Sequence, residues 1–222
     1  MNASSPSTPS DAELLAAFAA GDARAFERLY ARHEAALYRF VRRVLGTAAA
    51  AQADEVFQDT WERVIAARSQ WRADHERGAS VRTWLFSIAH HRAVDCLRRS
   101  GREVAWPEDD DAVPWEPEGV AWQSWPAAGP ASGPAAVTPE ETAFWRAAGQ
   151  RLLDCLDGLP LPQRSAFLLH HEDGLGLADV AQALEVGFET AKTRLRYAMA
   201  RLRACMGAYL PAPLTQRTEP PR

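Results

Sequence analysis

Residues 179–203 read "DVAQALEVGFETAKTRLRYAMARLR", and this stretch decides the fold. Val180, Ala181 and Leu184, with Leu177 just ahead, make one apolar face of a short helix; "EVG" is a three-residue turn, and Glu189 and Thr190 open a second helix. Two helices joined so tightly match the helix-turn-helix plan, whose second helix enters the DNA major groove. At 100° per residue, Ala191, Leu195, Ala198, Leu202 and Cys205 fall in one stripe that must pack on the rest of its unit. Lys192, Arg196 and Arg203 gather on one flank, Arg194 and Arg201 on the other, with Thr193 and Tyr197 pointing outward between them. The flanking cations suit phosphates, and Thr193, Arg196 and Tyr197 suit base edges. A solvated charged face is the plain alternative, but turn spacing, apolar stripe and charge placement agree on DNA.

The chain around this helix is net acidic, −4 over 222 residues, with 47% hydrophobic and 24% charged side chains, ordinary for a globular protein. Its charge is unevenly placed. Residues 11–102 hold 15 basic and 12 acidic side chains, and residues 142–210 hold eight and seven. Between them, 103–141 hold nine acids and no base. All the basic residues but Lys192 are arginines, which reads as GC-rich coding and carries no argument for nucleic acid.

The first block is helical. Ser10 and Glu13 form a capping box for "DAELLAAFAA", Asp22 caps a long helix that ends at Gly46, a third helix covers about 52–69, and Ser80 caps "VRTWLFSIAHHRAVDCLRRS". Residues 103–138 are rich in Pro, Gly and acid, lack a helical period, and read as a flexible linker; its Trp106, Trp115, Trp122 and Trp125 fit a segment that docks somewhere and fit equally a composition without a role. Helices resume at "TPEE", where Thr138, Pro139 and Glu141 supply a cap, a first-turn proline and a capping box. A second helix starts near Pro162 and ends at "EDG", and the two described above follow. The expected architecture is all-α: two small helical domains joined by an acidic linker. The predicted boundaries are 1–10 disordered leader, 11–102 first domain, 103–138 linker, 139–210 second domain and 211–222 disordered tail.

Cys96, Cys155 and Cys205 stand far apart without a CxxC pair, a spacing that suits neither a disulfide framework nor a zinc site and fits a reducing cytosol. His90–His91 and His170–His171 point about 100° apart on a helix, so neither pair chelates from one face. No signal peptide or membrane-length apolar run is present, and nothing resembles a nucleophile–base pair or a phosphate-cradling loop. The expectation is a cytoplasmic protein without cofactor, metal or enzymatic chemistry.

"ADEVFQDTWERV" (53–64), "GASVRTWLFSIAHHRAVDCLRR" (78–99) and "LDGLPLPQRSAFLLHHEDGLGLADVAQALEVGFETAKTRLRYAMARLR", in this order and separation, resemble the extracytoplasmic-function (ECF) group of bacterial RNA polymerase sigma factors. The resemblance implies core RNA polymerase and promoter DNA, duplex and single-stranded, as partners, and commonly an anti-sigma protein. It implies polymerase docking through Glu55, Gln58, Asp59 and Glu62, opposite Val56, Phe57, Thr60 and Val64; on residues alone that stripe reads as ordinary solvated surface. It places minus-ten capture on Trp71, Arg72, His75, Arg77, Ser80 and Arg82, with Arg92, Arg98, Arg99 and Arg102 along the strand path; Trp84 lies on the same side as Leu85 and Ile88 and reads as core. Minus-35 contacts fall on Thr190, Lys192, Thr193, Arg194, Arg196, Tyr197 and Arg201. Tyr197 stands where the family often has a basic residue, and Glu185 where it often has Gly. The linker has two open roles: passing through the polymerase RNA channel, or covering the Lys192–Arg203 helix. The competing functions are a stand-alone helix-turn-helix regulator with a dimerisation or sensing domain, and an interaction protein that binds polymerase without choosing promoters.

Overall fold

The computed structural model describes residues 8–71, 80–101 and 138–209. Residues 1–7, 72–79, 102–137 and 210–222 lie outside the described residues, and with them most of the expected leader, the linker up to Val137, the tail, and Arg72, His75, Arg77 and Arg102. Among the described residues every regular element is helical: α1 (Asp11–Ala19), α2 (Ala23–Leu45), α3 (Ala53–Ala67), α4 (Val81–Arg99), α5 (Pro139–Asp157), α6 (Leu161–Phe167), α7 (Leu177–Ala183) and α8 (Phe188–Met206).

The expected caps set the boundaries. Ser10 and Glu13 exchange both capping-box bonds, the Asp22 carboxylate accepts from the Arg24 amide at 2.9 Å, and the Ser80 hydroxyl accepts from the Thr83 amide at 3.0 Å. Each satisfies an amide that has no partner within its helix. One feature escaped the pattern: α6 continues through a wider turn over Leu168–Glu172 before Asp173 closes it. Polar contacts also tie α1 down, since Asp11 pairs with Arg32 and, at 2.7 Å, with the Nε2 of buried His33 on α2.

Helices α1–α4 enclose Leu29, Leu37, Phe40, Val41, Val64, Leu85 and Phe86, all fully buried, with Phe40 and Phe86 meeting edge to face at 5.2 Å. A second aromatic group of Phe18, Phe26, Tyr30, Phe57 and Trp61 locks α1 and α3 onto α2. In the second unit α6 lies along α8 and α5 covers its end, burying Leu168, Leu169, Val180, Ala198 and Leu202. Trp84, expected in the core, is half-buried and borders a cleft between α4 and α7.

The two units pack against each other, which nothing in either block foretold. Helix α4 lies on α7, and the end of α2 meets α6. The Thr47 amide donates to Asp157 Oδ2 at 2.9 Å, and Arg164 donates to the Val44 carbonyl at 3.2 Å and to the Asp157 carbonyl at 2.7 Å. Gly46 sits in this seam at φ 67°, where a Cβ would come within 2.7 Å of Asp157 Oδ1 and 2.8 Å of Arg164 Nη1. At φ 67° and ψ −176° the backbone lies in a region used almost only by glycine, which costs a side-chain-bearing residue about 1–3 kcal/mol before any collision. Gly46→Ala is therefore expected to strain this turn and displace the Asp157 and Arg164 side chains, lowering the urea midpoint; an unchanged midpoint contradicts the close approach.

The cysteine expectation is corrected. Cys155 on α5 and Cys205 on α8 form a disulfide with Cα atoms 5.9 Å apart, although 50 residues separate them. Sequence spacing does not report which helices pack side by side, and α5 lies against α8 here. Cys96 is buried on α4 and lies outside this disulfide.

Candidate polymerase and nucleic-acid interfaces

On α3, Val56, Thr60, Trp61 and Val64 turn inward, which leaves Glu55, Gln58 and Glu62 exposed and Asp59 half-exposed among them. Gln58 donates to Glu62 at 3.0 Å, one turn on, so the stripe is partly ordered. Phe57 is half-buried against Tyr38 and Tyr30. The result is a continuous acid–amide surface on a rigid helix, and it coincides with the predicted docking face.

The expected minus-ten residues separate into three groups. Trp71 is half-buried against the core, and Ser80 is committed to capping α4. Arg82 donates to the Asp173 carbonyl of the second unit, and its guanidinium lies 5.8 Å from the Phe86 ring centre. Arg92 pairs with Asp95 at 2.9 Å, while Arg98 and Arg99 are exposed at the end of α4. Arg72, His75 and Arg77 lie outside the described residues.

The recognition helix matches the projected stripe: Ala191, Leu195, Ala198 and Leu202 are buried, joined by Met199 and Met206. Thr190, Lys192, Arg196 and Arg201 are exposed. Thr193 and Tyr197, expected to point outward, are half-buried; the Arg196 guanidinium lies 5.2 Å from the Tyr197 ring centre and covers part of it. Lys192 reaches Glu189 at 3.4 Å, an exposed pair that a phosphate could replace. The turn before α8 holds Glu185 at φ 54°, the one described non-glycine residue with positive φ. The turn therefore accepts a side chain where glycine is the easier residue, and Glu185 approaches His91 of α4 at 3.6 Å.

Arg194 is half-buried on α8. Burial pushes the His90 pKa down to about 3, with His91, Arg194 and Arg98 adding to the effect in that order. Burial likewise lowers His171 to about 4, helped by His170 and Arg203. Burial raises Asp173 to about 7, with Glu172 adding and Arg39, Arg82 and Arg43 opposing. Below the ordinary histidine value of 6.5 the unfolded chain takes up protons at positions 90 and 171 that the folded chain refuses. Their contribution to stability is present above that value and is lost on acidification. Asp173 has the opposite sign: its contribution is present below 3.8 and is lost as pH rises through about 7. Two histidines outweigh one carboxyl between pH 4 and 6, so urea midpoints are expected to climb over that interval and level off near neutrality. A flat profile contradicts the burial of the two rings.

Sequence reasoning missed the residues between the units: Arg39 and Arg43 on α2, Glu172 and Asp173 after α6, and Asp179 on α7, which accepts from Thr83 Oγ1 at 3.0 Å. Among the described residues no group of three His, Cys, Asp or Glu side chains is placed to hold a metal ion, and no helix is long and apolar enough to cross a membrane.

Fold and surfaces together define a two-unit helical protein with a helix-turn-helix and an exposed basic edge in its second unit and an exposed acid–amide stripe in its first. Residues 29–103 match the model of Sigma-70 region 2, and residues 149–202 that of Sigma-70, region 4. The ECF RNA polymerase sigma factor SigM of Mycobacterium tuberculosis H37Rv is 31% identical over 198 residues, covering 89% of this chain and 85% of SigM. SigK of Mycobacterium ulcerans, also an ECF RNA polymerase sigma factor, is 29% identical over 197 residues, covering 88% and 92%. Among solved structures, CnrH in complex with the cytosolic domain of CnrY has a TM-score of 0.60 at 23% identity, covering 89% of this chain and 97% of that one. RpoE in complex with the anti-sigma factor NepR, from Bartonella quintana, gives 0.56 at 22%, covering 82% and 96%; both support the fold. The chain belongs to the ECF family of RNA polymerase sigma factors, and its function is to direct transcription initiation. The stand-alone regulator is not favoured.

Proposed function

We propose that the chain binds core polymerase through Glu55, Gln58, Asp59 and Glu62, and reads a promoter at two places. Residues 11–102 capture the melted minus-ten strand through Trp71, Arg72, His75, Arg77, Ser80, Arg82, Arg92, Arg98 and Arg99. Residues 139–210 grip the minus-35 duplex through Thr190, Lys192, Thr193, Arg194, Arg196, Tyr197 and Arg201, and residues 103–138 join the two. The observation that carries this reading is the placement of opposite surfaces on separate units: an exposed acid–amide stripe on α3 and an exposed basic edge on α8. Acidic α3 suits a basic protein surface and repels DNA, while α8 does the reverse.

Such a protein works in the bacterial cytoplasm, where polymerase and promoter are, and breaks or makes no covalent bond itself. A separate anti-sigma protein is its expected inhibitor, since the two solved relatives are each held by a partner chain. Because the units pack together here, engaging both promoter elements requires them to part. Footprinting the holoenzyme tests the reading. Two protected patches near minus-35 and minus-ten, with permanganate-reactive thymines only in the second, are expected. A single protected patch without melting overturns it.

A further inference from the structure

We propose that Arg39, Arg43 and Arg82 form a binding site for the phosphodiester backbone of single-stranded DNA, which Glu172 and Asp173 of the same chain occupy in the closed arrangement. Arg39 and Arg43 stand one turn apart on α2, and Arg82 lies in the first turn of α4, the helix packed beside it. All three converge on one dipeptide. Arg39 Nε meets Glu172 Oε1 at 2.9 Å while Arg43 meets the other carboxylate oxygen, so two guanidiniums bridge one anion as they would the free oxygens of a phosphate. Arg39 also approaches Asp173 Oδ1 at 3.8 Å, and Arg82 donates to the Asp173 carbonyl.

The two acids do not suit their own helix. They close its C-terminal end, where the backbone dipole favours cations. The Asp173 side chain is 1% exposed, and neither of its carboxylate oxygens has a hydrogen bond among the described residues. Such burial without hydrogen bonds is unfavourable, and the facing arginines are what offset it. The arginines in turn have no carboxylate partner from the first unit among the described residues. When the units part, three cations from adjacent helices are left facing solvent beside the strand-capturing end of α4. Arg side chains so grouped bind phosphate oxygens bidentately.

The inference rests on the minus-ten reading of the first unit, and the test separates the two. Full-length chain and holoenzyme are titrated against a fluorescein-labelled single-stranded deoxyoligonucleotide of mixed sequence over a salt series. The Glu172→Gln/Asp173→Asn chain is expected to bind more tightly than the parent, with a steeper salt dependence. In holoenzyme, Arg39→Gln/Arg43→Gln is expected to lower the slope of log K against log salt by about 1.4, roughly 0.7 for each lost phosphate contact. Polymerase pull-down and circular dichroism should stay unchanged. A holoenzyme that binds the strand with an unaltered slope assigns the arginines to holding the closed chain, or to a carboxylate-bearing protein partner, and overturns the proposal alone. A parent holoenzyme that fails to hold single strands overturns the minus-ten reading with it.

Discussion

Asp59→Arg weakens binding to core RNA polymerase by about 2–4 kcal/mol, roughly 30- to 1000-fold in Kd. Asp59 sits at the centre of the α3 stripe, with Glu55 one turn before it, Gln58 beside it and Glu62 one turn after. Reversing its charge removes an attraction to a basic partner surface and adds a repulsion at the same point. The fold should not notice. Asp59 is half-exposed, makes no hydrogen bond or ion pair among the described residues, and lies away from Val56, Thr60 and Val64. Arginine is also a good helix former. Pull-down with core polymerase measures the loss, and circular dichroism confirms an unchanged helix content. A variant that still captures polymerase normally places the docking face elsewhere.

Cys155→Ser lowers the unfolding free energy of the second unit by about 4 kcal/mol under oxidising conditions, on the chain-entropy scale for a loop of this length. The bridge closes 50 residues that include α6, α7 and most of α8. Unfolding with the bridge intact leaves those residues as a closed loop, so the unfolded chain has fewer states to gain. The same loss is expected when the parent protein is treated with dithiothreitol, because reduction removes the same constraint. Urea unfolding of both samples provides the measurement. Identical midpoints for oxidised and reduced protein exclude a covalent link between α5 and α8.

Much of this architecture was written in local patterns. Ser10, Asp22 and Ser80 each announce a helix start because capping is a contact across two or three residues, and the apolar stripe of α8 follows from its period alone. The polymerase-facing stripe was visible as a face, but its meaning came from family resemblance, since exposed acids look alike whatever they meet. The contact between units was not legible. Arg39 and Glu172 are remote in sequence, and neither carries a local mark of its partner. The same holds for Cys155 and Cys205, although Cys205 on the packing stripe of α8 signalled that its sulfur turns inward. Tyr197 was placed outward by geometry, and it is half-covered because Arg196 folds over its ring, a side-chain choice that helical projection does not contain.

The closed arrangement gives the family's two promoter contacts a shared physical constraint. Helix α7, the first of the helix-turn-helix pair, is held against α4 by the Thr83–Asp179 bond and the His91–Glu185 approach. Arg82, expected at the minus-ten element, is turned into this junction, and Arg194, expected at the minus-35 element, is near enough to His90 of the first unit to act on it electrostatically. On the proposed reading, polymerase docked on α3 and DNA bound to α8 would pull the junction apart from both sides.

Run-off transcription with purified chain, core polymerase and a library of genomic fragments tests the central claim most directly. Discrete new start sites that appear only when the chain is added, and vanish with Asp59→Arg, are the expected result. Fragments transcribed identically with and without the chain would contradict it.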